Sequence, residues 1–233
     1  MELTFVSVTP YEQFKINKDA AEIYARTYVE LRQLKRLGTR GALSDDNKYI
    51  LWLPRAGVVG AIAALDHYVH QVLYEKIPEK LSGASDELSD SLCELILRVA
   101  SLKNVSSVRD NIRFIQSSTG AADIAGEIRE KVVKFESFQA PDKVVRAYAL
   151  LGYADILEDI SAAWQGPNTD RAAIARKLDQ YVRRRNQIAH EGDLQSNHEP
   201  RPITPQYATD CLTFVFNLVW RLNVIVYGLS FEI

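Results

Sequence analysis

Glycine and proline are scarce in this chain, 11 and 8 among 233 residues. They fall between periodic segments rather than within them, which argues against a loop-rich protein. Cysteine is scarcer still. Cys93 and Cys211 are far apart, each in apolar sequence. No C-x-x-C pair exists for a zinc ribbon or a dithiol centre, and two buried thiols in a reducing compartment are expected. Alternation of apolar and polar residues is almost absent, which excludes a β-rich fold; only ELTFVSV (2–8) could form a short extended arm. There is no internal repeat or low-complexity tract. Walker A, G-x-G-x-x-G, G-x-S-x-G and H-E-x-x-H patterns are all missing, so kinases, dinucleotide enzymes, α/β-hydrolases and zincins have no support. Net charge is small as well, −2 with a pI near 6.1. The whole surface is therefore no basic coat, and nucleic-acid binding requires a local patch. The opening MELTFVSVTPYEQF has neither the basic nor the apolar region of a secretory signal, so a cytoplasmic location is expected.

What the chain does contain is helix after helix. Its 47% apolar and 25% charged residues suit a globular protein. Residues 10–37 place Tyr11, Phe14, Ile16, Ile23, Tyr24, Tyr28, Leu31 and Leu34 at spacings near three and four, an amphipathic helix with Asn17 as a place to break and Gly38 and Gly41 as its end. Residues 54–76 follow, with Pro54 in the first turn, a Gly/Ala-rich half suited to close helix packing, and Pro78 as a stop. Further helices are predicted over 85–102, with Ser85 as cap, and over 105–117, 120–136, 142–151 and 153–164. Another runs from about 170 to 190, closed by Gly192. The last is opened by Thr204-Pro205. This is an all-α fold of about eight helices in one domain over 1–233, residues 1–48 being an N-terminal elaboration on a core from 49 to 233.

Residues 211–229 are mostly apolar, yet Asn217, Arg221 and Asn223 interrupt the run. An arginine at a bilayer centre costs roughly 2.5–3.5 kcal/mol even on lenient scales, so a buried helix with no membrane partner is the expectation. Trp52, Trp164 and Trp220 sit in apolar sequence and are expected in the core; Tyr181 is expected in the core or at an interface, with stacking on a base as the alternative.

Charge is concentrated in one place. Between residues 171 and 190 six Arg or Lys stand against one acid, Asp179. The stretch ends in YVRRRNQIAHEGD. Cations in a last turn favour the helix dipole by roughly 0.3–1 kcal/mol each, so a solvated helix end is one explanation. The pattern is more particular than that. Asn186 and His190 are four apart and share a face, with Arg183 close to it. Arg185 is about 140° around from His190, able to approach it if the last turn loosens or if a second copy of the helix supplies the partner residue. Arginine offers a permanent fork for phosphate oxygens, and histidine exchanges a proton near neutrality. Cleavage of RNA by 2′-hydroxyl attack needs these two functions and no metal.

The stretch RNQIAH (185–190) fits the R-x4–6-H signature of HEPN domains, and RRRNQIAHEGD resembles the RiboL-PSP-HEPN group among them. RAGVVGAIAALDHYVHQVL (55–73) is similar to that group's first core helix, and FQAPDKVVRAYALLGY (138–153) to a connecting segment. The resemblance spans about residues 50–228. It implies an α-helical bundle that dimerises, with motifs of two protomers facing across a cleft, and in many members a metal-independent endoribonuclease of toxin–antitoxin or phage-defence systems. Carried over, Arg185 and His190 are the catalytic pair and Asn186 orients or contacts the phosphate; Arg183 and Arg184 beside them are candidates to bind RNA or orient the site. RNA is the implied substrate, a homodimer the implied assembly and an antitoxin or regulatory protein the implied partner; no cofactor is implied. Glu191-Gly192-Asp193 is expected to stop the helix. The alternative within the same fold is a non-catalytic module that binds RNA, a nucleotide or a protein.

Asp66-His67-x-x-His70 puts Asp66 and His70 on one helix face at a metal-ligand spacing, but no third ligand is identifiable. Pairing of Asp66 with an arginine of the motif helix is the preferred expectation. Arg55 is either a surface residue at a helix start or a phosphate contact.

Overall fold

A computed structural model describes residues 8–38, 41–83, 88–99 and 120–230. The expected arm over 2–8 lies, but for Val8, outside the described residues, as do the helix predicted over 105–117 and Ser85 with its cap. Eight α-helices occur among the described residues: α1 Pro10–Leu34, α2 Trp52–Ser82, α3 Asp90–Val99, α4 Gly120–Lys131, α5 Pro141–Ala149, α6 Ile156–Ala163, α7 Arg171–His190 and α8 Pro205–Tyr227. Short 3-10 turns cover Asp45–Leu51 and Val133–Phe135. No strand forms among the described residues; one bridge joins Leu194 to Pro200. The chain is all-α.

The chain divides into two compact units, Met1–Tyr68 with Ile160–Ile233, and Val69–Asp159. In the first, α1 lies along α8. Its inner stripe is Phe14, Ala21 and Tyr28, seven residues apart, while Ile16, Ile23, Tyr24 and Leu34 face outward. The helix does not break at Asn17. Thr9 and Glu12 form a capping box at its start, and the Arg32 guanidinium donates to the carbonyl oxygens of Leu37 and Gly38 at its end. The Gly/Ala half of α2 meets its neighbours closely, as its composition predicts. A Cβ on Gly60 would stand 2.9 Å from that of Ala21, so only glycine lets the two backbones approach this far. In α8, Asn223 accepts from the buried Tyr68 hydroxyl at 3.4 Å. Arg221 donates to the Asn217 carbonyl oxygen at 3.0 Å and lies 4.2 Å from the Trp164 ring centre. The polar interruptions of this helix are thus engaged by the protein itself. By length and composition the stretch Asp45–Ser82 and helix α8 are apolar enough to cross a membrane, and half of each apolar window is buried inside the protein.

In the second unit Pro78 lies within α2 rather than ending it. Proline removes one backbone hydrogen bond, but Leu73 and Ile77 on the same turns are buried, and this packing carries the helix through. Helix α3 begins at Asp90, where the Ser89 hydroxyl accepts from the Leu92 N–H. Cys211 is buried, which pushes its thiol up to about 12. Cys93, contrary to expectation, is exposed. Trp52 is also misjudged as core: it is 52% exposed. Trp164 and Trp220 are half-buried, whereas Tyr181 is a core residue at 1% exposure.

Candidate active site at the end of helix α7

Helix α7 starts where the Asp170 side chain accepts from the Ala173 N–H at 2.8 Å. Ala173, Ile174, Leu178, Tyr181, Val182 and Ile188 are its buried side. Arg185 starts from that side, and its stem runs along the helix until the guanidinium emerges on the far face, a snorkelling path that leaves its Nε buried without a hydrogen-bond partner. There Nη1 donates to Nε2 of His190 at 3.2 Å and to Oδ1 of Asn186 at 3.1 Å. The helix stays regular to His190; the length of the arginine, and no loosening of the last turn, closes the 140° between them. An arginine can only donate, so this contact needs Nε2 as its acceptor. Asn186 and His190 are exposed and Arg185 is half-buried. A cation, an amide and an imidazole whose Nε2 meets that cation thus share one small surface.

The residues around them divide sharply. Arg183 is exposed and pairs with Asp179 one turn back at 2.8 Å. Arg184, expected to bind RNA or to orient the site, turns inward. It donates from Nη1 to Oδ1 of Asp193 at 2.5 Å and from Nη2 to Oδ2 at 2.9 Å. Burial lowers its pKa from the ordinary value, with Asp193 opposing that shift. Arg55, expected at the surface or on a phosphate, is 2% exposed. Its Nε donates to Oδ2 of the same carboxylate at 2.5 Å, and its Nη2 to the Arg201 carbonyl oxygen at 2.7 Å. Of the arginines of the motif helix, Arg183, Arg184 and Arg185 engage Asp179, Asp193 and the Asn186–His190 pair respectively. Asp66 is half-buried on α2, and the acid that orients α7 is Asp193.

The sequence marks Asp193 only as part of a helix stop. It is fully buried and has φ +56 directly after Gly192 at φ +64, two left-handed residues that fold the chain back. Its N–H donates to the Gln187 carbonyl oxygen at 2.9 Å and its carbonyl oxygen accepts from the Arg201 N–H at 2.7 Å. One residue therefore ties the end of α7, the start of α2 and the 191–203 loop together. A signal for it did exist. Arg55 stands in the first turns of α2, where the helix dipole disfavours a cation, and this is the one hint of an acidic partner. His70 of the candidate metal pair lies 3.1 Å from the Val133 carbonyl oxygen and packs on Phe138 at 4.9 Å. Among the described residues no group of three or more His, Cys, Asp or Glu is placed to hold a metal ion.

The sequence model of RiboL-PSP-HEPN matches residues 24–226. The chain belongs to the RiboL-PSP-HEPN family. Comparisons with curated proteins and with solved structures return no match. The family match begins within α1 and covers α2 through nearly all of α8, including the whole of α7 with its R-x4-H motif. Domains of the HEPN family are helical, as this chain is.

Proposed function

We propose that this HEPN protein is a metal-independent endoribonuclease of toxin or defence type. The contact between Arg185 and His190 at 3.2 Å on an exposed face carries the reading. A phosphodiester placed against this surface draws the guanidinium onto its non-bridging oxygens and frees Nε2. The imidazole then takes the proton of the neighbouring 2′-hydroxyl as that oxygen forms its bond to phosphorus. The bond from phosphorus to O5′ breaks, leaving a 2′,3′-cyclic phosphate, and O5′ departs with a proton. That proton comes from a second imidazole, supplied by a second copy of the chain, which is why a homodimer belongs to this reading. The guanidinium stabilises the charge that builds on the phosphorane, and Asn186 holds it in place. A regulatory partner that restrains the enzyme in the cytoplasm completes the reading.

The test is incubation with a mixed RNA pool in EDTA beside His190→Ala. Fragments ending in 2′,3′-cyclic phosphate with the wild type alone are expected. Salt-dependent RNA binding without cutting by either protein would replace the enzyme with a binding module.

A further inference from the structure

The other end of α7 carries a feature that the cleavage chemistry does not use. A depression of about 470 Å³ opens beside the first turns of the helix. Its floor is the indole of Trp164 and the ring of Phe214, 5.7 Å apart and inclined by 29°. Arg221 packs on the indole at 4.2 Å and fixes its orientation from the protein side. On the rim stand Arg176 and Lys177, both exposed. Neither has an acid within ion-pair distance among the described residues, unlike Arg183 and Arg184 on the same helix. The amide of Gln180 completes the rim. A depression of mixed lining, with two aromatic rings, an amide, Arg176 without an acid beside it and Lys177 whose ammonium lies 5.0 Å from the Tyr181 ring centre, suits a base and the phosphates that flank it.

The depression is also connected to the motif. Arg176, Gln180, Arg183, Gln187 and His190 follow one another at spacings of four, three, four and three, a single stripe along the helix. All are exposed except Gln187, which is half-buried. The stripe is about 21 Å long at 1.5 Å per residue. We propose that the Trp164/Phe214 depression is a nucleobase subsite for single-stranded RNA, engaged by the part of the strand that continues along α7 from the Arg185–His190 pair. This inference rests on the RNA reading of that pair. An acidic peptide would use the two cations but leave the aromatic floor without a role, so RNA is favoured.

Binding can be measured apart from cutting, in a His190→Ala background, with labelled oligouridylates of roughly 4 and roughly 12 nucleotides. Arg176→Ala/Lys177→Ala is expected to weaken the long oligonucleotide at least about tenfold and the short one little. It should also reduce the salt slope by about 1.4, two contacts at about 0.7 each. Phe214→Leu, which keeps an apolar side chain, should weaken the long oligonucleotide without changing the slope. Unchanged affinity of the long oligonucleotide in the double variant would overturn the subsite. So would displacement of RNA by inorganic polyphosphate or a glutamate-rich peptide as readily as by unlabelled RNA. The catalytic reading fails separately: length-dependent binding lost in the double variant, with no cleavage by the wild type, leaves the subsite standing. Cleavage of long RNA with kcat/KM unmoved by the double variant leaves the nuclease and removes the subsite.

Discussion

Arg184 and Arg185 are neighbours in sequence and opposites in structure. Arg184 spends its guanidinium on a fully buried carboxylate. Arg185 sends its own around the helix to an exposed imidazole. One side of α7 therefore holds the fold and the other side presents chemistry, and the two are separated by a single residue. A run of three arginines reads as one patch in the sequence. It is three different things: a solvated ion pair at Arg183, a buried clamp at Arg184 and a candidate catalytic cation at Arg185. Helix geometry sets Arg183 apart, since each step turns by about 100°, and the reach of the side chain separates Arg185 from Arg184.

The largest expected effect separates the two sides most cleanly. His190→Ala removes an exposed imidazole whose described partner is Arg185. Cleavage should fall by about 10²–10⁴, the range for a general acid or base, while denaturant stability stays within about 0.5 kcal/mol, as for other surface changes. A loss of stability comparable to a core substitution would show that the imidazole belongs to the structural side after all.

Asp193→Ala attacks the other side. It leaves Arg55 and Arg184 buried beside each other without their shared acid, and breaking a buried pair in this way costs about 3–5 kcal/mol. Urea unfolding measures it. Asp193→Asn keeps the shape and some hydrogen bonding and should cost less. Activity should fall in both, through the misplaced end of α7, and recover partly where the fold is restored by lower temperature.

A conservative exchange sharpens the contrast further. Lysine keeps the charge but loses the fork. Arg184→Lys gives up a two-pronged bond to a buried carboxylate and should cost about 1.5–3 kcal/mol of stability. Arg185→Lys should leave stability nearly unchanged and reduce kcat more than it raises KM, because the fork acts on the phosphorane rather than on the ground state. Equal stability losses in the two variants would abolish the distinction between them.

These divisions mark where the sequence stops being legible. Periodicity, the Thr204-Pro205 start and the Asp170 cap are local, and they place α7 and α8 to within a residue or two. The R-x4-H motif is local too, which is why Arg185, Asn186 and His190, which the structure brings into contact, are candidates from the sequence alone. Arg55 and Asp193 are 138 positions apart, and nothing periodic connects them. Only the position of Arg55 against the helix dipole hinted at a buried partner. Pro78 shows the same limit in reverse: a local breaker is overruled by the packing of Leu73 and Ile77. Trp52 and Cys93 failed because apolar neighbours in sequence say little about which side of a helix is covered.

The smallest expected effect concerns Arg183. Its bond to Asp179 is exposed, with side chains 75% and 40% accessible. A surface pair of this kind contributes about 0.3–0.5 kcal/mol, so Arg183→Ala should scarcely move the unfolding midpoint. Binding should respond differently. Arg183 lies on the stripe between the motif and the Trp164/Phe214 depression, and a strand passing along it would exchange Asp179 for a phosphate. One lost contact lowers the salt slope for single-stranded RNA by about 0.7. Asp179→Asn is the complementary change, because it removes the competitor and should strengthen RNA binding without altering the slope by more than that. If Arg183→Ala leaves both slope and affinity untouched while Arg176→Ala/Lys177→Ala changes both, the strand leaves the helix between the two ends. If Arg183→Ala alone abolishes binding, the phosphate contacts concentrate at the motif, and the division drawn between Arg183 and Arg185 is too sharp.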